Sequence, residues 1–379
     1  MSQKCSVAII AGQLVVGGAE RQLYLWLSHL DRERFDPVVL TLHPGHDDCW
    51  EKPIEALGIP LIGVPRRRNR IARLMDVIRG LRPYQPRLIH GWHLFASSYA
   101  GVTAKLLGAR SLGSLRGSYR VFRGSPPLAG ATLSLLDAIL ANSHSAGDQL
   151  SEMSRHGGQR VYTVQNAVEE HKYDRLAVRT ELMQRFGLSH TSTWIGSMGR
   201  LDAAKRFDIT LNTLALLLKR SGDFHLLMIG DGPERARLES LAEALGIAGH
   251  VTFAGEVPGA AAWLGALDIF CFTSLDEGLP NAVMEAAVAG LPIVAWRLPF
   301  IEEILEKDET ALLVEPEDLV GLGDALLGLA KSPELRAKLG QAARNHVLER
   351  FSVERFVNRM TSVYEDLLGL QTEPDKARA

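Results

Sequence analysis

The chain has 379 residues, 46% of them hydrophobic and 23% charged, with a formal net charge of −2. At roughly 100–200 residues per domain this is a sizeable core divided over two domains, or at most three. The balance excludes fibrous, disulfide-stapled and disordered classes, and a whole-chain nucleic-acid binder held by phosphate neutralisation.

Strand-like and helix-like runs alternate in chain order. Ser6–Ala11, Pro37–Leu42 and Leu61–Val64 read as strands, with a helix over Ala19–Leu30. Arginines then crowd from Arg66 to Arg87, and among them Ile71, Leu74, Ile78 and Leu81 recur at the spacing of one helix face. Two readings stay open for that segment: a surface helix with a solvated basic face, or a helix resting on anionic lipid. Residues 1–175 carry 22 Lys and Arg against 15 Asp and Glu, and the remainder 20 against 29, so the basic excess belongs to the first half. Arg87–Gly91, Ser111–Leu115 and Val161–Val164 are further strands, with a helix over Ala96–Leu107, and Leu133–Leu140 runs from helix into strand.

A polar, charged joint follows Asn166, and a second series begins. It has strands at Trp194–Met198, His225–Gly230, His250–Ala254, Asp268–Thr273, Pro292–Trp296 and Ala311–Val314, and helices at Phe207–Arg220, Pro233–Leu245 and Pro280–Ala289. Residues 319–368 read as almost all helix and 371–379 as a disordered tail. Alternation of this kind builds parallel sheets covered on both faces, here two doubly wound domains facing across a cleft. No run reaches the ~18 apolar residues of a membrane-spanning helix. Cys5, Cys49 and Cys271 are far apart and form no CxxC pair, so they read as reduced thiols of a cytoplasmic protein. Met1–Lys4 leads directly into a strand, and no secretory leader is expected.

Ligands of open parallel sheets bind beyond the carboxyl ends of the strands, which makes the strand-to-helix turns the candidates. In the first, Gly17-Gly18-Ala19-Glu20 allows close backbone approach but lacks the dinucleotide fingerprint and a Walker lysine. In the second, Arg200 and Lys205 follow Gly199 at the mouth of a sheet, where two cations can neutralise a diphosphate. Gly230-Asp231-Gly232-Pro233 is a tight turn lining the cleft. In the fourth, Pro280 opens a helix whose first amides can hold an anion, with Glu277 before its start and Glu285 more than one turn inside. Nothing resembling a metal-binding DxD turn stands at a strand end. His43, His46, Asp47 and Asp48 read as a polar loop rather than a cation site.

Glu277-x7-Glu285 within EGLPNAVMEAAVAGLP, the GR-x4-K element Gly199–Lys205, the turn Gly17–Glu20, IGDGPER, VTFAGEV and the closing FSVERF together resemble the family-four retaining glycosyltransferases. The resemblance covers nearly the whole chain and implies two Rossmann-like domains of the B type, 1–175 for the acceptor and 185–350 for the nucleotide-sugar donor, with a helix at 351–370 crossing back to the first. It implies that Arg200 and Lys205 hold the donor diphosphate, assisted by amides near Gly278, Leu279 and Asn281. Glu285 would accept from ribose hydroxyls and Glu277 from those of the sugar, with Glu256 and Val257 beside the base and Gly17 and Gly18 near the diphosphate.

Three positions depart from the family pattern. Leu115-Arg116-Gly117-Ser118 stands where a histidine often follows the strand, Asn166-Ala167-Val168-Glu169 replaces Asn-Gly-Val-Asp, and Leu298-Pro299-Phe300 replaces a glycine pair ahead of Glu302 and Glu303. His90, His93 and Arg116 are therefore the acceptor-side candidates.

The expected function is a retaining, metal-independent hexosyltransferase without resident cofactor. It would move a sugar from a nucleoside diphosphate, uridine slightly preferred over guanosine, to an acceptor hydroxyl in glycolipid or cell-surface polysaccharide synthesis. Carbohydrate or lipid-linked acceptors and an anionic membrane surface at Arg66–Arg82 are the expected partners, nucleic acid is not, and the place is the cytoplasm or the cytoplasmic membrane face. The alternatives are a catalytically silent sugar-nucleotide-binding subunit and a sugar-nucleotide epimerase of the same fold.

Overall fold

The computed structural model describes residues 4–45, 48–67, 69–117, 133–154, 158–171, 174–220 and 223–370. His46, Asp47, Arg68, Ser118 and the tail at 371–379, all part of the sequence reading, lie outside the described residues. Two compact units emerge, one running to Ala167 and resuming at Val353, the other spanning Val168–Ser352.

The first unit runs β1 (Cys5–Ala11), α1 (Gly18–His29), β2 (Phe35–Thr41), α2 (Glu51–Ala56), β3 (Leu61–Gly63), α3 (Arg70–Leu81), β4 (Leu88–Gly91), α4 (Leu94–Leu107), β5 (Arg110–Leu115), β6 (Ala138–Ala141), α5 (His144–Ser154) and β7 (Arg160–Thr163). Its strands lie in the order β3-β2-β1-β4-β5-β6-β7, every pair parallel. The central strands are covered on both faces, so they are mostly apolar and their side chains alternate between two cores. Val7, Ile9 and Ala11 of β1 pack with Leu23, Trp26 and Leu27 of α1. Ala8 and Ile10 pack on the other side with Val77 and Leu81 of α3 and with Ala96, Ala100 and Ala104 of α4. The helix expected in the arginine-rich window is α3, started by Asn69, whose side chain accepts from the Ile71 and Ala72 N–H groups. Its apolar face differs from the expected one: Ile78 and Leu81 are buried, but Ile71 is 73% exposed because it lies in the first turn, away from the sheet.

The second unit runs α6 (Arg175–Phe186), β8 (Thr193–Met198), α7 (Phe207–Arg220), β9 (Phe224–Ile229), α8 (Arg235–Ala244), β10 (Val251–Gly255), α9 (Ala261–Leu264), β11 (Ile269–Phe272), α10 (Asn281–Val288), β12 (Ile293–Trp296), α11 (Pro299–Glu302), β13 (Leu312–Val314), α12 (Leu319–Lys331) and α13 (Pro333–Arg350). Its sheet is also parallel, in the order β10-β9-β8-β11-β12-β13. Counted within each unit, both orders begin 3-2-1-4-5-6, the doubly wound order of a Rossmann-like domain.

The polar joint contains a helix that belongs to the second unit. Asp174 caps α6 by accepting from the Ala177 N–H at 3.0 Å. Arg175 and Arg179 then pair with Asp268 at 2.6 and 3.2 Å, and that carboxylate also accepts the Trp194 N–H of β8. The division therefore falls after Ala167 and not at 175–185.

The long terminal helix is broken twice. Ser332 accepts from the Leu335 N–H with Pro333 in the first turn, starting α13 afresh, and Phe351-Ser352 ends it. The last helix, α14 (Val353–Leu368), returns to the first unit. It buries Phe356, Met360, Val363, Tyr364 and Leu367, with Tyr364 and Phe356 edge-on to Trp26 at 5.3 and 6.4 Å. Each such side chain contributes about 1.5–3 kcal/mol of burial. Among the described residues no helix is long and apolar enough to cross a membrane.

Candidate functional site

In a sheet of this order the crossovers leave the two central strands in opposite directions, and a crevice opens at their carboxyl ends. In the second unit those strands are β8 and β11. The turn after β8 contains Gly199, Arg200 and Lys205, and the turn after β11 contains Glu277 through Asn281.

Backbone contacts fix the β8 turn. Gly199 has φ +153° and Gly230 φ +137°, conformations open to glycine. A Cβ on Gly230 would lie 2.0 Å from the Gly199 carbonyl oxygen, and one on Gly232 would lie 2.4 Å from that of Leu201. This close approach lets the Leu201 N–H donate to the Asp231 carbonyl at 2.9 Å and the Glu234 N–H to the Leu201 carbonyl at 3.0 Å. The GDG turn thus buttresses the loop that carries Arg200. On the other side, the Leu275 N–H donates to the Ala204 carbonyl at 2.9 Å and the Thr273 hydroxyl to the Lys205 carbonyl at 3.1 Å.

The side chains converge on that frame. Lys205 Nζ is ion-paired with Glu277 Oε1, both side chains sheltered at 19% and 16% exposure. Arg200 is exposed, and its guanidinium has no partner among the described residues. Pro280 is the N-cap of α10 and not its first residue, and it offers the first turn no side-chain acceptor. Gly278 and Leu279 are buried, while Asn281 and Glu285 are half-buried in the first and second turns of α10. Glu256, exposed, and Val257, half-buried, follow β10 on the same edge of the sheet. Among the described residues no group of three His, Cys, Asp or Glu side chains is arranged to hold a metal ion.

In the first unit the central strands are β1 and β4. His93, at the N-cap of α4, accepts the Gly12 N–H on Nδ1 at 3.3 Å, so Nε2 carries the proton and donates to Glu20 Oε1 at 3.0 Å. Gly17 is the N-cap of α1 and Gly18 its first residue, and a Cβ on Gly17 would meet the Glu20 carboxylate at 2.2 Å. The Arg116 guanidinium lies 3.5 Å from the centre of the Trp92 ring and donates to Asn166 Oδ1 at 3.5 Å. Its Nε and Nη2 are buried without a partner among the described residues. Burial pushes the Arg116 pKa down to about 9, with Tyr364 and Glu20 opposing, so it stays charged at neutral pH.

His90 is removed from the acceptor-side candidates. It is fully buried, Nδ1 is hydrogen-bonded to the Tyr364 hydroxyl at 2.8 Å and Nε2 to the Ser114 hydroxyl at 2.7 Å, and burial holds its pKa well below the usual histidine value. It ties α14 to β4 and has no nitrogen left for a ligand.

The model described as "Glycosyl transferases group 1" matches residues 178–346, and that described as "Glycosyltransferase Family 4" matches residues 16–172. The chain is a family-four-like glycosyltransferase. This glycosyltransferase is 26% identical over 366 residues to the lipopolysaccharide core biosynthesis glycosyltransferase LpsE of Rhizobium meliloti, covering 93% of the chain and 96% of that protein. It is 28% identical over 232 residues to the N-acetyl-alpha-D-glucosaminyl L-malate synthase of Bacillus anthracis, a match spanning 61% of the chain and 60% of that protein's length. Among solved structures, Alr3699/HepE of Anabaena in complex with UDP and glucose superposes with a TM-score of 0.82 at 17% identity, covering 96% of this chain and all (100%) of that one, which is a likeness of fold.

The sequence did not single out Glu20 as the partner of His93, Trp92 as the platform under Arg116, or Thr273 as the anchor of the Lys205 loop. The pair of tryptophan and histidine in Gly91-Trp92-His93, directly after a strand, was the available signal for the first two. The backbone argument predicts that Gly230→Ala lowers the stability of the second unit by about 1–3 kcal/mol in urea unfolding. Gly249→Ala, whose Cβ would meet nothing within 4 Å, is expected to unfold like the parent chain.

Proposed function

We propose that this glycosyltransferase moves a hexosyl group from a nucleoside-diphosphate sugar, uridine preferred over guanosine, to an acceptor hydroxyl with retention of configuration, and needs neither a metal ion nor a resident cofactor. The observation that carries the reading is the Lys205–Glu277 pair at the switch point of the second sheet, with exposed Arg200 on the same buttressed loop. When the diphosphate enters, Lys205 exchanges its carboxylate partner for a phosphate oxygen and Arg200 adds a forked contact. Glu277, released, accepts from hydroxyls of the sugar, and Glu285 accepts from the ribose. The amides of Gly278, Leu279 and Asn281 at the start of α10 face the phosphates, and Glu256 and Val257 border the base. In the reaction the bond from sugar C1 to the diphosphate oxygen breaks, and the acceptor oxygen takes its place on the same face. The acceptor proton passes to the departing diphosphate oxygen, and the negative charge remaining on that diphosphate is met by Arg200 and Lys205.

The first unit is the acceptor side, with His93 and Arg116 at its carboxyl edge. Relatedness to a lipopolysaccharide core enzyme supports an acceptor in lipopolysaccharide or cell-surface polysaccharide synthesis. The outer face of α3 supports contact with an anionic membrane surface on its cytoplasmic side, since Ile71 and Met75 are exposed beside Arg70 and Arg79. Sedimentation with phosphatidylglycerol vesicles is expected to fall as salt rises, and binding indifferent to lipid charge would remove the membrane from the account.

Lys205→Ala and Arg200→Ala are each expected to lower turnover of a UDP-sugar about a hundredfold, with circular dichroism unchanged and EDTA without effect on the parent chain. Near-native turnover in both variants would contradict the assignment.

A further inference from the structure

The first unit contains a cavity of about 550 Å3 lined by Gln13, His43, Arg66, Arg67 and Arg73. Gln13 follows β1, His43 follows β2, and Arg66 and Arg67 follow β3, so the cavity opens at the carboxyl ends of three neighbouring strands, with Arg73 of α3 closing one side. Arg73 Nη1 donates to His43 Nε2 at 3.4 Å, which makes His43 a neutral acceptor, and Nη2 donates to the Arg67 carbonyl. Burial holds the His43 pKa down, helped by Arg73 and then Arg66. The ring stacks on Phe95 with centroids 5.7 Å apart.

Two observations mark an unmet charge. Arg73 Nε is buried and has no hydrogen-bond partner among the described residues. Neither Arg66 nor Arg73 has a carboxylate partner among them, although carboxylates are near. Asp76 pairs with Arg67 and Arg79, and Asp48 accepts from Gln13 Nε2 at 2.9 Å and from the Gly45 N–H at 3.2 Å. A buried guanidinium nitrogen with no partner among the described residues costs free energy that an oxyanion would recover, and exposed Arg66 beside it adds a second positive charge.

We propose that this cavity is a subsite for a phosphate group carried by the acceptor, with Arg73 and Arg66 as the charged contacts and Gln13 as a neutral donor. It rests on the reading of the first unit as the acceptor side and adds the charge class of the acceptor. The phosphate belongs either to a soluble phosphorylated acceptor or to a lipid headgroup. The cavity-lining Arg66 and Arg73 are distinct from Arg70, Ile71, Met75 and Arg79, which form the outer face of α3.

The test follows the 31P line width of inorganic phosphate titrated with the full chain. Saturable broadening is expected in the parent chain, in Lys105→Gln (an exposed charge at the far end of α4) and in Lys205→Ala. In Arg73→Gln the affinity should fall about tenfold or more. Arg66→Gln, changed at an exposed side chain, should weaken binding in the same direction and keeps the test decisive if Arg73→Gln fails to fold. At constant ionic strength, phosphate that displaces the chain from phosphatidylglycerol vesicles where chloride does not assigns the group to a lipid headgroup. Phosphate that binds without displacing them assigns it to a soluble acceptor. Binding that is lost in Lys205→Ala and kept in both arginine variants would overturn the cavity while leaving the transferase reading standing, and absence of saturable broadening would overturn it outright.

Discussion

The contact on which the proposed chemistry of the second unit depends is the ion pair of Lys205 with Glu277. It spans the point where the turns after β8 and β11 part, and it holds a cation and an anion in a place sheltered from water. Pairs of this kind bring little net stability, because desolvation offsets most of the attraction. Their worth lies in preorganisation: the charges are already dehydrated and positioned when a ligand arrives. The frame that keeps them there is mostly backbone, namely the GDG turn against Gly199–Leu201 and the Thr273 and Leu275 bonds to the Lys205 loop.

The first unit uses another device at the equivalent strand ends. One imidazole joins the Gly12 amide to the Glu20 carboxylate, and those two partners dictate its tautomer. Arg116 is immobilised by stacking on Trp92, whose indole N–H in turn donates to the Ala19 carbonyl at 2.8 Å. The rigid parts of this edge come from β1, β4, β5 and the start of α1. The arginines around His43 lie further along, at the ends of β2 and β3 and on α3, and of these Arg66 and Arg73 have no carboxylate partner among the described residues.

Much of this was legible in the sequence, for a physical reason. Strands buried on both faces must be short continuous apolar runs, and CSVAIIA, TWIGSM and IFCF can be read as such directly. The cations and glutamates of the second unit were singled out because they follow such runs. Helix α6 was missed because only Leu182 of its residues is buried and its docking rests on Arg175 and Arg179, which look like solvated charges until Asp268 is in view. His90 was misjudged because its partner, Tyr364, is 274 positions away and no local pattern distinguishes a satisfied histidine from an exposed one. The cavity arginines were visible as a basic window, but whether they lined a hollow or a flat face depended on the order of β1, β2 and β3.

The central claim is that Lys205 and Glu277 hold each other in readiness for a diphosphate. The most direct measurement is a crystal structure of the chain with uridine diphosphate bound. The account predicts Lys205 Nζ and the Arg200 guanidinium on the phosphate oxygens, with the Glu277 carboxylate released from Lys205. A nucleotide bound elsewhere, or one bound with the Lys205–Glu277 pair still closed, would contradict it.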